Sequence, residues 1–564
     1  MGEILWQRWE ANAVTRPHCD AIIHWIPGKK PYRWTFEKLL ETAKRYSILL
    51  KKSGIQSGDV CALIIRHHPD FYPLYMGISA LGAIPAVLAY PNPRLHPDKF
   101  RQGIIGMSQR SGLDWILTEA ELLPVLRPLV ENNESTIKGI HLPLEHDLNS
   151  LDIHNFVAPE NIRDTDPFLL QHSSGTTGLQ KPVLISHRAL LDHAASYGEA
   201  LKQNGNDKVV SWLPLYHDMG LISTFHCPLI WGIPTVQINP FDWILATELL
   251  IEATSSEEAT MTWLPNFAFH LMANKIHDED IEGCLLASFR LVVNSSEPIR
   301  KESHERFVSK FVKFGYDPKA FSTLYGMAET TMAVTQTISG NVPVEIKADR
   351  KDLAKGKVTI VNDDATARVC ISAGRLIRGC EVEILDDDKN PLPSGMVGEI
   401  AIRSISMFDG YRNYPEKTAE VMHKGWYLSG DIGFELDGEY FIIGRKKDTI
   451  ISAGKNVYPE DIEDVISLAK GIIPGRVVAF GEDAEDMGTE LISIVAESCI
   501  DTEQERKMVK MEILKAAMEI DVTVSNIYLV PPRWLIKSSA GKPGRKANKE
   551  RILEAGERKK WKIL

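Results

Sequence analysis

The run Val60-Cys61-Ala62-Leu63-Ile64-Ile65, followed by FYPLYMGISALGAIPAVLAYPN at 71–92, decides the fold class. The second stretch carries no charge and is nearly long enough to span a bilayer. Pro73, Pro85 and Pro91 interrupt it, and Gly82 divides it into a helix-like half and a strand-like half. Strand, helix, strand, apolar throughout, is the pattern of a unit buried on both faces. We therefore read it as core and expect no membrane span.

Working outward, Thr35 is placed to cap a helix whose apolar stripe runs Phe36, Leu39, Leu40, Ala43, Tyr46, Leu50, with Gly54 as its stop. Strand-like runs at 61–65, 84–90, 209–213, 235–238 and 291–293 alternate with helical segments to about residue 335. That alternation predicts mostly parallel sheets covered by helices. From about 371 to 443 the texture changes to short strands (381–385, 398–403, 440–443) separated by turn-rich pieces at 386–390 and Asp437-Gly438, which is antiparallel sheet. After Gly444 the charge density rises and a compact α+β pattern follows, so a domain boundary is expected at 444–448.

At 564 residues the chain exceeds what one core holds, and 44% apolar with 25% charged residues fits a globular enzyme. A net charge of −11 argues against nucleic acid as the main partner, because phosphate backbones demand a basic surface. Cys19, Cys61, Cys227, Cys284, Cys370, Cys380 and Cys499 form no CxxC pair and read as reduced, buried thiols. The start Met1-Gly2-Glu3-Ile4-Leu5-Trp6 has neither a secretory pattern nor the Ser or Thr of a myristoylation signal, so a cytoplasmic location is expected.

The strongest local signal is Gln171-His172-Ser173-Ser174-Gly175-Thr176-Thr177-Gly178-Leu179-Gln180-Lys181-Pro182. Hydroxyls, accessible backbone N–H groups and one lysine are the parts that hold a polyphosphate, although the GxxxxGK[ST] spacing of a Walker loop is absent. A polar turn between two strands is the alternative reading. Tyr325-Gly326-Met327-Ala328-Glu329-Thr330 sets an aromatic to stack on a base and a carboxylate to hold magnesium, or a core tyrosine and a surface glutamate. Leu428-Ser429-Gly430-Asp431 puts a carboxylate on a turn, suited to two ribose hydroxyls. Gly444-Arg445-Lys446-Lys447-Asp448 lies at the proposed joint, and Lys537-Ser538-Ser539-Ala540-Gly541-Lys542 presents a lysine after a Ser/Ala/Gly loop.

Each signal is modest; in this order and over this span they resemble the acyl-adenylate-forming superfamily of acyl- and aryl-CoA ligases, peptide-synthetase adenylation domains and luciferases. Trp212-Leu213-Pro214-Leu215-Tyr216-His217-Asp218-Met219-Gly220-Leu221-Ile222 and a long stretch at about 339–372 are most similar to the fatty acyl-AMP ligase branch. The resemblance implies an α/β fold: a large N-terminal domain of two doubly wound lobes plus a small β-barrel, then a small mobile lid. It implies a body at 1–444, a hinge at 445–447 around Lys447, and a lid at 448–564. Ser174, Thr176, Thr177 and Lys181 fall in its phosphate loop. Ser296, Glu297, Tyr325, Gly326, Asp431 and Arg445 line its nucleotide site, and Glu329 is its magnesium ligand. Lys542, His217 and Glu329 are its catalytic residues.

The implied chemistry uses ATP and Mg2+ to turn a carboxylic acid, most often a fatty acid, into acyl-AMP with release of pyrophosphate. The acyl group then passes to a holo acyl carrier protein, in the setting of fatty acid metabolism or of polyketide or lipopeptide biosynthesis. Ten Lys and Arg against three Glu at 537–564 offer a basic docking region for such a carrier. The alternatives are an acyl- or aryl-CoA ligase and, from another class, a non-catalytic adenylate-binding module. Ala328, Ala540, Ser223 and Thr224 depart from the usual pattern, the last two adding bulk where the branch carries glycines.

Overall fold

The computed structural model describes residues 2–91, 97–131, 135–172, 180–363, 366–452, 455–484, 489–500, 502–520, 522–537 and 543–558. Strand Val60–Ile64, helix Phe71–Ala80 and strand Ile84–Val87 form the expected unit, and the two strands pair in parallel with Val60 opposite Ile84. Every residue of the helix is buried, which is why the stretch has no polar face. It packs against helix Phe36–Lys52, whose Thr35 hydroxyl accepts the Lys38 N–H as predicted. Gly77 permits this approach, since a Cβ there would lie 2.8 Å from the Tyr46 Cβ and 2.9 Å from the Ala43 carbonyl oxygen.

These strands belong to a four-stranded parallel sheet in the order Ile84–Val87, Val60–Ile64, Trp115–Thr118, Gly139–His141. A second sheet has nine strands. Its parallel centre runs Phe321–Gly326, Leu291–Ser295, Met261–Pro265, Val209–Ser211, Thr235–Gln237, Asp20–His24, with antiparallel strands at both edges. Helices cover both sheets, giving the α/β architecture read from the alternation. Open parallel sheets bind ligands beyond the carboxyl ends of their strands. Pro265, Ser295 and Gly326 end three neighbouring strands there.

The antiparallel stretch folds as one five-stranded sheet built from Cys380–Leu385, Gly398–Ser404, Met422–His423, Trp426–Leu436 and Glu439–Arg445. Before it, strands Glu345–Asp349 and Ala367–Ile371 form a hairpin around a short helix, Arg350–Ala354. This hairpin occupies the extra stretch at 339–372. Leu353, Ala348 and Cys370 bury against Phe434, Phe441, Ile443 and Tyr458, with Ile346 and Val358 partly covered. Val342, Val344 and Ile360, also apolar, are exposed. A hairpin lying on a surface buries one face, and its alternate residues point to water.

A smaller C-terminal domain follows the single-turn helix Lys446–Asp448. Its three-stranded sheet (Ile472–Ala484, Thr489–Ser498, Val524–Val530) carries helices Pro459–Ser467 and Glu503–Glu519 around one core. Helix Arg545–Arg558 packs on strand Ile472–Ala484. Among the described residues no helix is long and apolar enough to cross a membrane. All seven cysteines are free thiols; Cys19 and Cys499 are exposed, against the expectation of uniform burial.

Candidate active site

Three clusters of polar side chains converge on the carboxyl ends of the large sheet. In the first, the Tyr325 hydroxyl donates to Asp431 Oδ2 at 2.8 Å, and Arg445 Nε lies 3.1 Å from Oδ1. Asp431 and Arg445 face each other across paired strands, so the register itself aligns them. Burial, with Asp431 beside it, pushes the Tyr325 hydroxyl well above its ordinary value and keeps it a donor. The Asp431 carboxylate holds the Arg445 guanidinium firmly charged. Lys447, two residues on, is pulled down by burial and by Arg445, with Lys181 adding to the effect.

In the second cluster Glu329 is 6% exposed, and its Oε1 accepts the Tyr411 hydroxyl at 2.7 Å. Lys181 Nζ donates to the same Tyr411 oxygen at 3.2 Å and sits 4.9 Å from the ring centroid. Tyr411 therefore joins the carboxylate of one motif to the lysine of another. Buried Tyr427, hydrogen-bonded to Tyr411 and close to both Glu329 and Tyr325, links this cluster to the first.

The third cluster is the segment after strand Leu291–Ser295. Ser296 adopts φ = 70°, a left-handed conformation that turns the chain across the strand end. Its hydroxyl meets Met219 Sδ at 3.6 Å, and the Glu297 carboxylate accepts the Phe267 N–H at 2.9 Å. Met219 opens a fully buried, wide-turn helix, Met219–His226, and His217 lies in the turn leading into it. The His217 carbonyl accepts the Leu221 N–H at 2.7 Å, and its ring lies 5.7 Å from that of Tyr216. Gln171 donates to the Tyr216 carbonyl at 2.9 Å, tying this turn to the strand that precedes the Ser/Thr/Gly motif.

The expectations for Ser174, Thr176, Thr177 and Lys542 fall outside the described residues. The base of the Lys542 segment is described: Lys537 and Pro543 form an isolated β-bridge, and Asn548 bonds both the N–H and the carbonyl of Ile536 at 2.8 Å. Burial draws Lys537 down to about 8, and Glu297 of the third cluster is among the charges that oppose this. Within the 444–448 motif, Lys446 turns away from the site to Glu399 and Asp387, and Asp448 pairs with Arg545.

The seam between the two domains is ionic. Helix Pro459–Ser467 carries four acids in its first turns. Glu460 and Glu463 face Arg545 of their own domain at 2.8 Å each. Asp461 and Asp464 face the large domain instead. Arg368 of the inserted hairpin pairs with Asp461 at 2.8 Å, and Arg300 pairs with Asp464. Arg368 also donates to the Ile443 carbonyl at 3.0 Å and lies 5.5 Å from the Tyr458 ring. Tyr411, Arg300, Arg368 and the two aspartates were not singled out in the sequence, since nothing in local spacing joins residues so far apart.

Among the described residues no three His, Cys, Asp or Glu side chains gather into a metal cage. A single buried carboxylate such as Glu329 suits magnesium carried on a nucleotide, which is held by one or two carboxylates and the phosphates themselves. Asp431, 7% exposed between a hydroxyl and a guanidinium, suits a vicinal diol. These side chains gather at the strand ends, where open α/β sheets bind ligands.

Comparison with known proteins places the chain further. A profile of AMP-binding enzymes matches residues 9–412. The long-chain-fatty-acid–AMP ligase FadD32 of Mycolicibacterium smegmatis is 28% identical over 545 residues, covering 88% of this chain and 86% of its own. A fatty acyl-adenylate ligase from L. pneumophila, solved with acyl adenylate and pyrophosphate, superposes with a TM-score of 0.74 at 26% identity over 98% of this chain and 96% of its own. A chain from structural work on fatty acyl-adenylate ligases of E. coli and L. pneumophila gives a TM-score of 0.89 at 24% identity, covering 99% and 98%, which shows the shared fold. The chain belongs to the AMP-binding enzyme family and is an AMP-forming ligase, similar in sequence and fold to fatty acyl-AMP ligases.

Proposed function

We propose that the chain converts a fatty acid and ATP into acyl-AMP and pyrophosphate, then passes the acyl group to the phosphopantetheine thiol of a holo acyl carrier protein in preference to coenzyme A. The observation that carries the choice of acceptor is the hairpin Glu345–Asp349/Ala367–Ile371, anchored on the large domain and paired through Arg368 to Asp461 of the small one. Anchored there, it opposes the rotation that would open the site to free CoA. A carrier-borne arm brings docking energy that free CoA lacks.

In this reading 1–444 is the catalytic body, 445–447 the hinge around Lys447, and 448–564 the lid. Asp431 and Arg445 take the ribose, Tyr325 and Gly326 the adenine, and Ser296 and Glu297 the wall beside it. Ser174, Thr176, Thr177 and Lys181 cradle the phosphates. Negative charge grows on the phosphoryl oxygens as the carboxylate attacks the α-phosphorus, so the site needs fixed cations and donors more than a base. Lys542, on the loop whose base lies by Glu297, supplies one cation, and Lys181, steadied by Tyr411, another. Glu329 would hold a magnesium ion, which would supply positive charge beside the pyrophosphate oxygens. His217 stands at the turn between the carboxylate side and the thiol entry. Rotation about Lys447 then withdraws Lys542 and admits the thiol.

The test is a pyrophosphate-release screen over carboxylic acids of increasing chain length, repeated with CoA and with a panel of holo carrier domains. The proposal expects release with fatty acids and thioester on a carrier. Acyl-CoA formed as fast as acyl-carrier thioester makes the chain a CoA ligase instead.

A further inference from the structure

Ser223 and Thr224, the two residues that add bulk where glycines were expected, lie side by side in the wide-turn helix Met219–His226, and both are fully buried. The structure separates them. The Thr224 hydroxyl donates to the Gly220 carbonyl at 2.7 Å, and the Thr224 carbonyl accepts the Thr235 hydroxyl and the Gln237 amide at 2.8 Å each. Among the described residues the Ser223 hydroxyl has no hydrogen-bond partner. A buried hydroxyl left unbonded is destabilising, so its presence asks for a use. Helices with i→i+5 bonds are rare and recur at functional sites. Such a helix turns once in four to five residues, which puts Ser223 on the side of Met219, one turn further along. Met219 is the residue whose sulfur meets the Ser296 hydroxyl of the third cluster.

Strand register places a second helix over the same side of the large sheet. Thr235, Val209 and Met261 pair across neighbouring parallel strands, so Gln237 and Trp263, each two residues on, point to one side. The Thr224 carbonyl holds Met219–His226 to that side through Thr235 and Gln237. Helix His187–Ala200 covers it too, since its Tyr197 hydroxyl accepts the Trp263 N–H at 2.7 Å. On this helix His193 stacks on Tyr197 with rings 5.4 Å apart, and Ser196 lies three residues on from His193, on the same face. His193 and Ser196 are buried, and among the described residues neither His193 nitrogen nor the Ser196 hydroxyl has a partner. Burial draws His193 down to about 3, so its ring is neutral, with one donor and one acceptor nitrogen. Unused hydrogen-bonding groups thus collect in one layer between the sheet and the two helices, and Met219 at its end adjoins the third cluster. A plain alkyl chain satisfies none of these groups, whereas a hydroxyl is donor and acceptor at once.

We infer that this layer receives the acyl chain, and that Ser223 and His193 select an acid carrying a hydroxyl group over the plain alkyl acid of the same length. The inference rests on the adenylation reading above and is independent of the acceptor. A site built to bond a hydroxyl rejects the analogue that lacks it, because its own buried groups are then left unpaired. The experiment measures pyrophosphate release by the full-length enzyme with octanoic, decanoic and dodecanoic acids and with their monohydroxy forms, the hydroxyl stepped along each chain. One hydroxyl position should exceed the parent acid at least about tenfold in kcat/KM. Ser223→Ala and His193→Phe, each at wild-type Tm, should shrink that ratio at least about fivefold, the hydroxy acid losing more than its parent. Equal kcat/KM for parent and hydroxy acids in the wild type overturns the inference and leaves adenylation standing. A preference that Ser223→Ala retains in full overturns it as well. No pyrophosphate release with any carboxylic acid overturns the adenylation reading and this inference together.

Discussion

Arg368→Met keeps the bulk of the side chain and removes its charge. In the structure the guanidinium has three partners: Asp461 at 2.8 Å, the Ile443 carbonyl at 3.0 Å and the Tyr458 ring at 5.5 Å. Ile443 lies before the proposed hinge, so that bond survives any rotation of the small domain. Asp461 and Tyr458 lie beyond it, and those contacts exist in the docked orientation alone. A hydrogen-bonded charge pair contributes about 1.5–3 kcal/mol and the cation over the ring about 0.5–1 kcal/mol. Their loss weakens docking by about 2–4 kcal/mol, roughly 30- to 700-fold in the orientation equilibrium. Burial already pushes Asp461 up, so losing its partner leaves the carboxyl to take a proton or turn to Arg350. The assay pairs ATP–pyrophosphate exchange with single-turnover thiolysis of purified acyl-AMP. Exchange should fall at least about tenfold, since part of the shift is absorbed by a surplus of the docked form. Thiolysis by CoA should rise, and Arg368→Lys should sit between. Unaltered exchange and unaltered CoA thiolysis in a variant of wild-type Tm would refute the idea that this pair holds the domains.

Four further outcomes follow from the same geometry. Tyr411→Phe removes the hydroxyl shared by Glu329 and Lys181, and kcat/KM for ATP should drop about 10- to 150-fold with a higher magnesium requirement. Burial raises Asp464 to about 7 despite Arg300, whereas an undocked Asp464 ionises near about 4; docking support from this group is full below about 4 and is lost as pH rises through about 7. The ratio of adenylation to transfer should therefore fall between pH 6 and pH 8, roughly the window of that docked pKa, and Asp464→Asn should flatten the profile. Lys447→Pro fixes φ at the joint, so exchange should stay within about threefold while carrier loading falls at least about thirtyfold in single-turnover kinetics. Shortening the hairpin between Gly340 and Ala373 should keep exchange within about threefold and raise acyl-CoA output at least about tenfold, read by mass spectrometry.

The fold was legible wherever burial leaves a local pattern. The run at 71–92 reads as core because both faces of its helix are covered, and Thr35 caps the next helix as its spacing says. Tyr325, Glu329, Asp431 and Arg445 were legible through motif order, and the structure brings the Tyr325–Asp431–Arg445 group together. Tyr411 was not, because its partner Glu329 lies 82 residues away and a tyrosine after a glycine carries no signal of its own. The ionic seam was hidden for a similar reason: Arg300, Arg368 and Asp464 each read as solvated charges until the two domains meet. The covered face of the hairpin was hidden too, since composition shows apolar residues but not which face of a two-residue repeat is buried.

The central claim is that the docked small domain and its hairpin make this ligase pass the acyl group of acyl-AMP to a carrier thiol, with release of AMP, and refuse free CoA. Enzyme preloaded with labelled acyl-AMP, separated from ATP and mixed in one turnover with CoA and holo carrier together, tests it most directly. The account predicts label on the carrier and little acyl-CoA even with CoA in excess. Label moving chiefly to CoA would contradict it.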